Sequence, residues 1–161
     1  MVHALVINRI DYCNSLLYGI PQTPLVKLKR VQNAAAHLIC KVSRFDHITP
    51  VLFSLHWLPV NYRITFKVLL VTYKAIHGIA HVYIQDLIKI REKSVYSLRS
   101  NSEILLENPR TMTKPTLGNR AFTAVAPKLW NSLPSDIRNT QSVDTFKRAL
   151  KTYLFKTAFG I

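Results

Sequence analysis

Apolar residues recur at helical rather than alternating spacing along most of this chain, and proline and glycine punctuate the pattern. From residue 2 to about 17 the apolar groups are Leu5, Ile10, Leu16 and Leu17, and Gly19 followed by Pro21 is a stop signal. Thr23-Pro24 places a capping hydroxyl before a proline at the first helical position. A second helix is therefore predicted to about Lys41, with Leu25, Leu28, Val31, Ala35, Leu38 and Ile39 at helical spacing. Thr49-Pro50 repeats the start signal for a short turn through Leu55. His56-Trp57-Leu58-Pro59 then leads into a long helix from Val60 to His77 that closes at Gly78.

On a wheel of about 100° per residue, Arg63, Lys67 and Lys74 of that long helix fall within about 40° of one another. The rest of the circumference is mostly apolar, which describes a helix covered on most sides and places it at the centre of the core. A fourth helix is expected from about Val82 to Ile90. Beyond it, Glu92 to Leu117 lacks helical period and reads as a loop-rich arm. Within the arm, Ile104 to Glu107 and Arg110 to Lys114 can pair as a short hairpin across Asn108-Pro109, with no register determined by the sequence. Ala121 to Ser132 reads as another helix containing Pro127, Leu133-Pro134 ends that unit, and Ser142 caps a last helix. There Val143, Phe146, Leu150, Tyr153 and Leu154 share one face and Lys147, Arg148 and Lys151 another. The expectation is a mainly α protein: a small helical bundle over residues 1–91, the arm over 92–118, and basic C-terminal helices over 119–161.

Charge changes this picture. The 161 residues carry 22 Lys and Arg against 8 Asp and Glu, a net charge of +14, with 48% hydrophobic residues. The apolar content excludes a disordered chain, and the charge directs attention to polyanions. Cys13 and Cys40 are the only cysteines and form no Cys-x-x-Cys pair, so they read as reduced thiols and small buried groups. The apolar run Ala4 to Ile7 is shorter than a signal-peptide core, and nothing approaches the roughly 20 apolar residues of a bilayer span. An intracellular protein, nuclear or cytoplasmic, is expected.

Candidate chemistry is sparse. The acidic residues are scattered without an Asp-x-Asp pair, and there is neither a Gly-x-Ser-x-Gly elbow nor a phosphate-cradling glycine loop. His77 and His81 have i, i+4 spacing but straddle Gly78 at a helix end, and they read as surface or capping residues, with His47 and His56 as structural hydrogen-bonding groups. No catalytic residue, metal site or cofactor is assigned. The cations remain, because a phosphate backbone asks only for dispersed positive charge on a common face. Lys27, Lys29, Arg30 and Lys41 lie off the apolar face of the second helix, and Arg63, Lys67 and Lys74 form the stripe described above. Downstream of Pro109 stand Arg110, Lys114, Arg120, Lys128, Arg138, Lys147, Arg148, Lys151 and Lys156 against only Asp136 and Asp144. The candidate nucleic-acid-binding set is Lys27, Lys29, Arg30, Arg63, Lys67, Lys74, Arg110, Arg120, Arg138, Lys147 and Lys151.

Particular strings narrow the reading: Arg9-Ile-Asp-Tyr-Cys-Asn-Ser-Leu-Leu-Tyr-Gly19, Leu28-Lys-Arg-Val-Gln-Asn-Ala-Ala-Ala36, His47-Ile-Thr-Pro-Val-Leu52 and Leu55-His-Trp-Leu-Pro-Val60. With Pro109-Arg-Thr111, Gly118-Asn-Arg-Ala-Phe122, Ala126-Pro-Lys-Leu-Trp-Asn-Ser-Leu-Pro134 and Ser142-Val-Asp-Thr-Phe-Lys147, the chain resembles the segment after the polymerase palm in reverse transcriptases of LINE-type, non-LTR retrotransposons. The resemblance runs in order through nearly the whole chain. It implies the thumb and post-thumb portion of an RNA-directed DNA polymerase, not an enzyme by itself, because the aromatic-Ala-Asp-Asp motif that carries the family's catalytic aspartates is absent here. The partners it implies are the backbone of RNA or of an RNA/DNA duplex and the palm of the parent polymerase. Trp57 and Trp130 then read as core anchors at helix junctions. The alternatives are a structural or protein-interaction helical module and a decayed transposon relic without selected function.

Overall fold

The structure, a computed structural model, describes residues 3–91, 104–109 and 120–161. Eight α-helices are present among them: α1 (Asn8–Asp11), α2 (Gln22–Cys40), α3 (Ile48–Ser54), α4 (Val60–Ile76), α5 (Val82–Gln85), α6 (Phe122–Asn131), α7 (Ser135–Arg138) and α8 (Val143–Phe159). The protein is mainly helical, with no strand among the described residues. The chain forms two compact units, Met1–Lys67 with Lys151–Ile161 and Val68–Leu150, whose limits fall inside α4 and α8.

In the first unit the expected opening helix is broken. A wide turn over His3–Ile7 runs into the four residues of α1, and Cys13 then takes a left-handed conformation (φ 51°) before a tight 3-10 turn over Asn14–Leu17. Ile10 and Asn14 are buried by this path, whereas Leu5 and Leu16 of the expected apolar face stay exposed. Cys13 is also exposed, against the expectation of a small buried group, while Cys40 packs against the core.

Helix α2 starts at Gln22, with Pro21 ahead of it and no side-chain cap, so Thr23 is not the capping residue. Its buried face is Leu25, Gln32, Ala35 and Ala36, and Val31 and Leu38 point to solvent. Gln32 displaces the expected apolar residues because a buried carbonyl needs a donor: its Nε2 gives a 2.8 Å hydrogen bond to Leu58 O. The same oxygen accepts from Arg63 Nε at 2.9 Å, so both of its lone pairs are used. Trp57, Val60 and Ile64 complete this core with Val51 and Leu52 of α3. His47, not Thr49, precedes α3. Phe53 packs on Phe155 and Phe159, with ring centroids 5.4 Å apart in both pairs.

The second unit is organised by three aromatic rings. Tyr73 stacks on Phe146 with centroids 4.2 Å apart, and Trp130 lies 5.9 Å from Phe146. All three are buried, and their polar atoms are satisfied: Tyr73 OH donates to Thr140 O at 2.8 Å and Trp130 Nε1 donates to Ile104 O at 2.8 Å. Asn131 grips the neighbouring backbone from both sides, its Oδ1 accepting from Leu106 N and its Nδ2 donating to Leu106 O, each at 2.9 Å. The expected hairpin partner Arg110 to Lys114 lies outside the described residues, as does most of the arm. Leu106 instead bridges Ile90 in antiparallel fashion, with Arg91 N bonded to Leu105 O and Glu107 N to Lys89 O. That bridge is why α5 is one turn long rather than reaching Ile90: residues 89–91 are extended to pair.

Pro127 sits inside α6, and the single turn α7 follows Pro134, where the sequence had suggested an end. Ser142 does cap α8, its Oγ accepting from Thr145 N at 3.1 Å. Along α4, Val60, Ile64, Val68, Leu69, Thr72, Tyr73 and Ala75 are buried, an arc of about 220° on the helical wheel and much wider than a one-sided amphipathic stripe.

Candidate nucleic-acid interface

The eleven candidate cations do not share one environment. Arg63 is withdrawn from the surface. Its Nη1 lies 2.8 Å from Asp11 Oδ2 and 3.0 Å from Oδ1, its Nε bonds Leu58 O, and its side chain is only 13% exposed. With Nε and Nη1 engaged and little of the side chain exposed, Arg63 is a poor phosphate contact, and the cations left on α4 are Lys67 and Lys74. Both are half-buried, and no side-chain ion pair or hydrogen bond is made by either ammonium among the described residues.

Arg138 is 6% exposed and makes its own contacts within the fold, because the extra turn α7 carries it inward. Arg120 is half-buried, and Arg110 lies outside the described residues. On α8, Lys147 pairs with Asp144 at 3.1 Å across one exposed turn, while Lys151 is exposed. An exposed i, i+3 pair of this kind contributes well under 1 kcal/mol, ~0.2–0.5, and gives way readily to a phosphate.

The outer face of α2 holds the most open cations. Lys27 and Arg30 are exposed, and Lys41 is exposed at the C-terminal end, where it adopts a left-handed conformation (φ 53°) and its N–H bonds His37 O. At about 100° per residue, Lys27, Arg30 and Lys41 fall within about 60° of one another, with Ala34 between them and Leu38 at their edge. Lys29 points about 160° away from Lys27 and is half-buried. The triplet read from sequence as Lys27, Lys29 and Arg30 is thus divided, and Lys41 takes the third place. From Lys27 to Lys41 the helix spans about 21 Å, and a nucleic-acid strand presents a phosphate about every 3.4 Å of duplex axis, so the stripe can follow several phosphates at once.

Beyond Lys41 the chain makes an exposed turn. Ser43 N donates to Asp46 Oδ2 at 3.0 Å, Phe45 N donates to Ser43 Oγ at 3.3 Å, and Asp46 N bonds Ser43 O at 3.1 Å. Its tip is Arg44 and Phe45, with the guanidinium carbon 5.2 Å from the ring centroid. Sequence reasoning passed over these two residues because helical period stops at Lys41. The available signal was Ser43 three positions ahead of Asp46, a spacing that lets a short polar side chain close a turn.

The histidines are placed by packing. His56, in a left-handed conformation, stacks on Phe155, and His81 stacks on Tyr83, in each case with centroids 5.7 Å apart. His77 lies 4.1 Å from Tyr73 just after α4, and the partial burial of its ring there lowers its pKa below the ordinary 6.5. Among the described residues no three His, Cys, Asp or Glu side chains come together as a metal site, and no helix is long and apolar enough to cross a membrane. What the α2 face offers chemically is a row of positive charge, with the half-buried His37 on its edge. No family model, curated protein or solved structure matches this chain.

Proposed function

We propose that this chain is a non-catalytic piece of a retrotransposon RNA-directed DNA polymerase that holds RNA or an RNA/DNA duplex through its backbone phosphates. The observation that supports it is the exposed row Lys27, Arg30 and Lys41 on α2, in a chain of net charge +14. Three cations on one helical face need no base-specific geometry to bind a polyanion, and their attraction comes largely from counterion release. The thumb-like role follows from the sequence resemblance: such a segment grips template and primer by shape and charge, while catalysis belongs to a palm.

The test is a titration of a fluorescein-labelled RNA/DNA hybrid with the full chain at several salt concentrations, against a Lys27→Ala, Arg30→Ala, Lys41→Ala variant. The expected result is weaker binding of every sequence alike, with the log-log salt slope flattened by about one per phosphate contact removed. Unchanged affinity and slope would overturn the assignment to α2. Reading the transcript upstream of Met1 tests the parentage separately: an in-frame aromatic-Ala-Asp-Asp motif is expected, and a stop codon or unrelated frame contradicts it.

A second reading is favoured by the apolar residues among these cations. Val31 and Leu38 are exposed on the same face of α2, as a helix docking on another protein would present them. Under this reading the triple variant keeps its affinity for a protein partner such as a polymerase palm, and Leu38→Lys abolishes it.

A further inference from the structure

We infer that the Arg44–Phe45 tip is a base-stacking site for a single-stranded stretch of RNA or DNA, an inference that rests on the phosphate-binding reading of α2 and adds a specific contact to it. Phe45 is 85% exposed, the highest value among the large apolar residues described. Exposure of a whole phenyl ring is unfavourable unless something covers it, by about 25 cal/mol for each Å² left in water. Among the described residues the fold leaves most of it uncovered. Arg44 lies over the ring at 5.2 Å, which leaves the remainder of the ring open.

The turn holds the ring in place. The hydrogen bonds of Ser43 and Asp46 close residues 43–46, and Asp46 directs its carboxylate at Ser43 N. The acid beside the ring is thereby occupied within the turn, Arg44 lies against the ring, and Lys41 is exposed at the end of α2 four positions before it. An aromatic face bordered by positive charge, at the end of a cationic helical face, matches a nucleotide in both its parts. The base stacks on the ring, and the phosphates meet Lys41 and Arg44. A base has a flat face close to the size of one phenyl ring. A membrane or a protein hot spot draws on a broader apolar area than this ring and the partly exposed Val42 supply, and the other sequence neighbours Lys41, Ser43, Arg44 and Asp46 are polar. Stacking requires an unpaired base, so the site selects single strands or duplex ends rather than continuous duplex.

The experiment compares binding of labelled dT12 and an abasic 12-mer of the same charge to the full chain and to Phe45→Ala, with thermal unfolding of both proteins as the folding control. The wild-type chain is expected to prefer dT12 by about tenfold, and Phe45→Ala to bind both alike with an unchanged salt slope. Phe45→Trp is expected to keep the preference, its added fluorescence quenched by dT12. Equal binding of the two oligomers by the wild type would overturn the stacking site and leave the phosphate reading standing. Binding of neither would overturn both. A preference that survives Phe45→Ala would place the stacking elsewhere. Phe45-dependent recruitment to phosphatidylserine vesicles without any base preference would assign the tip to a lipid surface instead.

Discussion

Arg63 and Asp11 stand 52 positions apart in sequence and meet at 2.8 Å, the guanidinium of a long helix closing on the carboxylate of the four-residue helix α1. Asn14 reinforces the acceptor, its Nδ2 3.4 Å from Asp11 Oδ1. Helix α1 alone is too short to be stable in water, so this pair and the burial of Ile10 hold the N-terminal segment against the rest of its unit.

Arg63→Ala is therefore expected to act on stability and not on nucleic-acid binding. Asp11 is partly exposed, so the loss sits between a surface pair and a buried one, about 1–2 kcal/mol, including the hydrogen bond that Leu58 O loses. A double-mutant cycle with Asp11→Ala, read by urea unfolding, should return a coupling of about 1 kcal/mol. A salt slope of RNA binding that falls in Arg63→Ala would contradict this division.

Lys41 combines a cation with a left-handed backbone at the end of α2, a conformation that glycine adopts more readily. Lys41→Gly should therefore raise stability by about 0.5–1 kcal/mol while weakening RNA binding. Thermal unfolding and fluorescence anisotropy on one preparation check both signs.

Asn131 supplies a donor and an acceptor to Leu106, which is buried. Asn131→Asp keeps the acceptor but sets a carboxylate against Leu106 O. The expected loss is about 2 kcal/mol, or about 4–8 °C in thermal midpoint for a chain of this size. Faster hydrogen exchange at Glu107 N and Arg91 N should accompany it, because the bridge to residues 89–91 depends on the same segment.

The lowered pKa of His77 predicts a pH dependence with a definite sign. Partial burial against Tyr73 disfavours the charged ring, so between the folded pKa and 6.5 the unfolded chain binds more protons than the folded one. The contribution is fully present above 6.5 and is lost as pH falls through the folded value. Urea midpoints for the wild type and His77→Gln should diverge less at pH 5 than at pH 7.5 on this account. A proton NMR titration should place the His77 midpoint below 6.5.

Much of the architecture was legible in the chain itself. The long helix α4, its stop at Gly78, the span of α2 to Cys40 and the Ser142 cap follow from local rules of spacing, capping and glycine, which operate over a few residues. The buried Trp57 and Trp130 were likewise evident as anchors, since large aromatic residues beside prolines mark junctions. The row of cations on α2 was visible as an amount of charge, though not as the particular trio that shares a face.

Tertiary structure decided the rest, wherever a partner distant in sequence determines what a residue does. Gln32 faces inward because Leu58 O lies there, Arg63 leaves the surface because Asp11 reaches it, and Leu106 pairs with Ile90 while Trp130 and Asn131 hold its backbone. Phe45 became noteworthy only once the fold left it 85% exposed. Periodicity assigns a side chain to a face of its helix, but the chemistry of that face is set by the groups the fold brings opposite, and the need to satisfy buried donors, acceptors and charges outweighs the local pattern.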